Sequence, residues 1–167
     1  MTTRASLPYV DELPIEIGAD REKTWAALLR VVEGSFASAR GRGPARLLAC
    51  EDTELSGPRP LAQGSAFPGF HVETAEVPNE LALAGRHRFS TYLLSFRLED
   101  AGTGRTRLVA ETRATFPGLK GGIYRALVIG TRMHVLVVRR VMRGVAHRPG
   151  LEADQPDQQR PEGDEWR

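Results

Sequence analysis

Cysteine and lysine are scarce in this chain. Cys50 stands alone, and Lys23 and Lys120 are the only lysines among the 23 basic residues. One cysteine excludes an intramolecular disulfide and a cysteine-based metal cluster, so Cys50 is expected to be a small buried core thiol. Long apolar runs are missing as well. No stretch of about 18 uncharged apolar residues exists, which speaks against a transmembrane segment, and residues 1–20 lack the basic-then-apolar order of a signal peptide. The expectation is a cytoplasmic protein. G-x-S-x-G, a phosphate-cradling loop and a strand-led G-x-G-x-x-G are all absent. His71, His87, His134 and Glu73 do not fall at a metal-ligand spacing, so neither metal nor cofactor is expected.

What is present is enough for one domain of 167 residues. Folding at that length removes roughly two-thirds of the unfolded chain's surface from water, which allows a core that encloses a pocket. The net charge of +2 is unevenly placed: residues 149–167 hold six acids against two arginines, leaving −4 there and +6 on the remainder. Arginine in excess of lysine fits recognition of anionic groups through the guanidinium fork, and fits a genome-wide codon bias equally well.

Residues 118–147 organise the rest. Read as one C-terminal helix, this stretch is roughly 40 Å long. At about 100° per residue, Tyr124, Leu127, Val128, Thr131, His134, Val135, Val138, Met142 and Val145 share one face, while Arg125, Arg132, Arg139 and Arg143 line another. Ile129, Met133, Leu136 and Val137 lie partly outside the apolar stripe, suited to packing on a first helix or to a homodimer. The arginine face reads as solvated surface, and no nucleic-acid partner is expected without a recognised binding motif. Gly118, Gly121 and Gly122 ahead of the helix suit a tight approach of the backbone, a moving lid, or exposed N–H groups for an anion.

Ahead of that helix the chain is rich in strand patterns. Residues 1–8 read as a flexible N-terminus. Residues 9–17 form a first strand in which Pro14 implies an edge or a bulge. Asp20 then caps a helix carrying Trp25, Leu28, Leu29 and Val32 and ending near Gly34. Residues 35–44 read as a mobile connection with room for one short helical turn, 47–55 as a strand with Cys50 in its middle, and the proline-rich start of 56–69 as a loop. Strands 70–77, 81–89, 91–99 and 105–116 follow with short connections, which force an antiparallel meander. Alternation turns Tyr92, Leu94, Phe96 and Leu98, with Thr106, Leu108, Ala110, Thr112, Ala114 and Phe116, to the interior. The same rule turns Leu81, Leu83, Gly85, His87 and Phe89 inward and leaves Arg86 and Arg88 outside. Residues 149–167 form a disordered acidic tail, and residues 9–148 a single domain.

This order defines an α+β fold in which the sheet needs the long helix as its cover. The segment GFHVETAEVPNELALAGRHRFSTYLLSFRLEDAGTGRTRLVAETRATFPG, with its GF-x-V strand, its V-P-x-x-L-x-L-x-G step at 77–85 and its GRTRL run, resembles the SRPBCC superfamily of START-like, polyketide cyclase-like helix-grip proteins. The resemblance spans roughly residues 8–147. It implies a curved antiparallel sheet wrapped around the long C-terminal helix, a shorter N-terminal helix, and a hydrophobic cavity between sheet and C-terminal helix.

Within that frame, Phe70, Val72, Leu83, Tyr92, Leu94, Phe96, Leu108, Tyr124, Val128, Thr131 and Val135 are candidate ligand-binding residues, with His87 and Thr112 for polar orientation. The expected function is binding of a small hydrophobic molecule such as a lipid, polyketide or quinone-like compound. One alternative is a cyclase or dehydratase-type enzyme in the same cavity, with His87 as acid or base and Tyr92 as donor. Another is a protein- or membrane-interaction module using the basic helix. His87 reads equally as a structural histidine, and Tyr92 and Thr112, placed roughly opposite each other, as hydroxyls that satisfy one another.

Overall fold

The computed structural model describes residues 7–36 and 39–147; the expected acidic tail and most of the expected flexible N-terminus lie outside them. Strand β1 (Tyr9–Ile17) has the expected bounds. It is an edge strand paired only with the last strand, and Pro14 sits there opposite Val109, where a missing N–H is tolerated. Asp20 caps α1 (Arg21–Phe36) by accepting from the Lys23 N–H at 2.8 Å. The helix runs past Gly34 and buries Trp25, Ala27, Leu28, Val31 and Val32. That face is broader than the expected stripe because α1 lies between the sheet and the C-terminal helix.

Two expectations for the next stretch are corrected. The supposed connection and the start of the supposed strand form α2 (Ala39–Leu47), with Pro44 inside it. Its end is closed by Ala49 in a left-handed conformation (φ 54°), with Cys50 N–H donating to Ala45 O and Ala49 N–H to Arg46 O. These are the two bonds of a Schellman motif. Cys50 therefore follows a helix, in a segment that runs beside the sheet through Glu51 N–H to Arg86 O and Arg88 N–H to Leu48 O. It is only partly buried.

The remaining strands are β2 (Ala66–Phe67), β3 (Phe70–Glu76), β4 (Glu80–His87), β5 (Ser90–Asp100) and β6 (Thr106–Thr115). They build one antiparallel sheet in the order β1-β6-β5-β4-β3-β2. Its concave face carries Val72, Leu83, Phe96, Leu98, Leu108 and Ala110 into a core shared with α1. The convex face is not simply wet. Leu7 joins Ala82, Ala84 and Leu93 in a small buried cluster there, and the Pro8 carbonyl accepts from Ala114 N–H, so residues 7 and 8 are packed. Beside that cluster, Glu111, 6% exposed in its side chain, is paired with Arg97 at 2.7 Å and with Arg113.

The expected single C-terminal helix is broken. It comprises α3 (Gly118–Arg125), a π-helical turn over Ala126–Gly130, and α4 (Met133–Ala146). The two halves meet at 46°, with Arg132 in a left-handed conformation (φ 55°) at the joint. A π turn accommodates an extra residue per turn, so the 100° projection loses its phase across the break. Val138, Val141, Met142 and Val145 do bury on the core, but Leu127 is 64% exposed and Thr131 is turned to solvent.

Candidate functional site

The concave face of the sheet is occupied unequally along its length. Where β5 ends and β6 begins, Phe96, Leu98 and Leu108 are sealed into the packed core. Where β5 begins and β6 ends, a cavity of about 380 Å³ remains between the sheet, α2 with the Cys50 segment, and the α3–α4 lid. Phe70, His87, Tyr92, Leu94, Thr112, Tyr124 and Val128 line it, so these expected site residues are brought together.

Others are not. Val72, Leu83, Phe96 and Leu108 are at most 1% exposed and belong to the core; they share the inward parity of the cavity residues but lie deeper along their strands. Thr131 is spent in the lid, its hydroxyl donating to Leu127 O. Val135 faces a separate hollow against β1 with Asp11, Arg132 and Arg139. Tyr92 and Thr112 are not opposite each other, since the β5–β6 register pairs Tyr92 with Ala114 and Leu94 with Thr112.

An arc of aromatic rings frames the cavity. Phe36 packs on Phe70 with centroids 5.1 Å apart, Phe70 meets Tyr92 edge-on at 5.2 Å, and Tyr92 touches His87 at 5.5 Å. His87 in turn meets Tyr124 edge-on at 4.9 Å. These offset and edge contacts are favoured by the ring quadrupoles and hold the wall without a close-packed filler.

Tyr92 is fixed from both ends. Its ring lies over Gly85, its cross-strand partner, which has no Cβ to obstruct it, and its hydroxyl donates to Gly69 O at 2.5 Å. Burial, with lesser contributions from Cys50 and Tyr124, pushes its pKa far up. Burial likewise raises Tyr124 and Cys50. The two phenols and the thiol therefore stay protonated near neutral pH, which leaves Cys50 a poor nucleophile.

His87 is 8% exposed. Its Nδ1 accepts from the Phe89 N–H at 3.1 Å, so the neutral ring carries its proton on Nε2. Burial lowers its pKa and favours that neutral form. Nε2 has no hydrogen-bond partner among the described residues, which leaves one oriented donor in a mostly apolar wall that also holds Thr112 and Tyr124. His134, at the lid joint, is engaged instead: Nε2 lies 2.9 Å from Asp11 Oδ2 and Nδ1 3.3 Å from Val128 O. It ties the lid to β1.

Of the three glycines at the start of the lid, which the structure places inside α3, Gly121 has a structural role. A Cβ there would meet the Phe116 carbonyl carbon at 2.7 Å and its oxygen at 2.9 Å, so only glycine lets α3 approach the sheet this closely. Sequence reasoning missed Phe36, Pro44, Ala45, Leu48, Cys50 and Ile129 on the cavity wall. Apart from the lone cysteine, none of them carries a local signal of its own.

No family model matches the chain, and no curated protein matches it. Solved structures do. A conserved protein from Geobacillus kaustophilus is 14% identical, with 81% of this chain and 91% of that one covered at a TM-score of 0.52. Truncated norcoclaurine synthase from Thalictrum flavum is 11% identical, with 82% and 94% covered at a TM-score of 0.51. At such identities the likeness is one of fold: an α+β helix-grip architecture, a curved antiparallel sheet holding a C-terminal helical segment.

Proposed function

We propose that this chain binds a small, mostly hydrophobic molecule of lipid, polyketide or quinone-like kind, which presents a hydrogen-bond acceptor to His87. One observation carries the reading: an aromatic-framed cavity of about 380 Å³ in which His87 Nε2–H is an unspent donor. Small-molecule sites are typically apolar hollows of about 300–1,000 Å³ with a few fixed polar groups. Native mass spectrometry of the protein purified from its own host tests this. A defined noncovalent mass is expected, absent from Val128→Trp, whose added ring fills the cavity. Persistently empty protein, together with a Val128→Trp variant that takes up an apolar fluorescent probe as well as the parent, overturns it.

The second reading is a cyclase or dehydratase-type reaction in the same cavity, supported by the neutral, unpaired His87 beside Tyr124. One solved protein of this fold is named as a synthase. Tyr124 is then a better donor than Tyr92, whose hydroxyl is already given to Gly69 O. Under this reading His87→Gln abolishes turnover of a bound candidate substrate while the protein still retains it; unchanged turnover removes the enzyme reading.

A further inference from the structure

We propose that the outer side of the lid docks on the surface of an anionic lipid bilayer. Leu119, Ile123 and Leu127 recur every fourth residue along α3 and the π-helical turn and are 90, 73 and 64% exposed. A helix of a globular protein ordinarily turns such a stripe toward its core. Here the inward positions are taken by Gly121, pressed on Phe116, and by Tyr124 and Val128 on the cavity wall. The aliphatic ridge is what remains outside.

The charges that the lid segment itself carries are of one sign. Lys120, Arg125 and Arg132 are exposed beside it, and Arg139, Arg140 and Arg143 continue along α4. None of the six forms an ion pair among the described residues. The sequence has no acidic residue between Glu111 and Glu152.

An apolar ridge set among unpaired cations matches the boundary of an anionic membrane, where aliphatic side chains enter the acyl region and basic groups sit among the phosphates. Each basic residue near such a surface strengthens binding roughly fivefold. A second copy of the chain fits less well, because a twofold contact would bring this cationic face against itself. Residues 149–167 supply acid but only Leu151 and Trp166 as large apolar groups. No single helix is long and apolar enough to cross a membrane; the two halves of the C-terminal segment pass that test only as a pair bent by 46°, and α4 is bound into the core, so the contact proposed is interfacial. It does not depend on the cavity being filled.

Co-sedimentation of the full chain with phosphatidylcholine vesicles, with and without phosphatidylserine, tests the proposal. Binding is expected to be roughly tenfold or more tighter to the serine-containing vesicles. The combined variant Leu119→Ser, Ile123→Ser and Leu127→Ser should lose roughly tenfold or more of that binding with an unchanged melting temperature. The variant Lys120→Glu with Arg125→Glu should lose a comparable amount, which retains the test if the first variant folds poorly. Absence of pelleting with either vesicle overturns the proposal, as does full binding by the serine variant. Concentration-dependent dimerisation abolished by the serine variant, without vesicle binding, would assign the ridge to a second copy instead.

Discussion

Tyr92 and Gly85 face each other across β5 and β4, and the phenol ring occupies the space where a side chain on residue 85 would begin. A Cβ there would lie 2.5 Å from Tyr92 Cε2 and would also strike the Gly69 carbonyl oxygen that accepts the Tyr92 hydroxyl. Gly85→Ala should therefore displace the ring and part the two backbones. The expected cost is about 1–3 kcal/mol, read as a lower midpoint in urea or thermal unfolding. Tyr92→Phe keeps the ring and loses only the hydrogen bond, so its cost should be smaller, about 1 kcal/mol.

His87 makes stability depend on pH with a definite sign. Burial holds its folded pKa below the ordinary 6.5. As pH falls through 6.5 the unfolded chain takes up the proton before the folded one does, so its contribution to stability is complete above that value and is lost below it. Thermal unfolding between pH 7.5 and 5 should show a shallower loss for His87→Gln than for the parent. Parallel profiles would mean that the imidazole ionises as freely in the fold as outside it.

Thr24 is fully buried in α1, and its hydroxyl finds no partner among the described residues. Thr24→Val exchanges that hydroxyl for a methyl of similar size and removes an unsatisfied polar group. An increase in stability of about 0.5–1.5 kcal/mol is expected, seen as a rise of a few degrees in melting temperature. A decrease would indicate that a water satisfies the hydroxyl.

On the convex face, Glu111 is held between Arg97 and Arg113. Glu111→Gln keeps the shape and removes the carboxylate partner of Arg113 and one of three beside Arg97. A loss of about 2 kcal/mol is expected, in the range for hydrogen bonds to charged groups. Adding Arg113→Met should recover part of that loss, because Arg113 has no other carboxylate partner among the described residues, whereas Arg97 keeps Glu12 and Glu99.

The parts of the fold legible in the sequence are those whose signal is local. Alternation located β3 to β6 to within one or two residues, Pro14 marked β1 as an edge strand and Gly18 its end, and Asp20 marked the start of α1. Helix α2 was hidden because Pro44 and its glycines disfavour a helix, and because its closing position is Ala49 where glycine is the usual sign. Ala45, 4% exposed, shows that packing holds it in place. The break at residues 130–132 carries no proline, and Gly130 is its one local sign. Alternation also assigned Tyr92, Leu94, His87 and Thr112 to the correct side of the sheet. It could not separate them from Phe96 and Leu108, which have the same parity, because cavity and core differ only in how far along the sheet the helices cover it.

The bend in the C-terminal helical segment divides the work of the chain. Val138, Val141, Met142 and Val145 beyond the joint are bound into the core, whereas residues 118–130 before it frame the cavity and contribute no large buried side chain. Within this segment the buried core residues thus lie beyond Arg132, while both sides of it shape the pocket, residues 118–130 before it and His134, Val137 and Val138 after it. Random substitution confined to residues 118–130 should yield mostly folded proteins of altered cavity, and the same mutational load on residues 138–145 mostly unfolded ones. Residues 118–130 are the segment in which this scaffold can reshape its cavity without risking its fold.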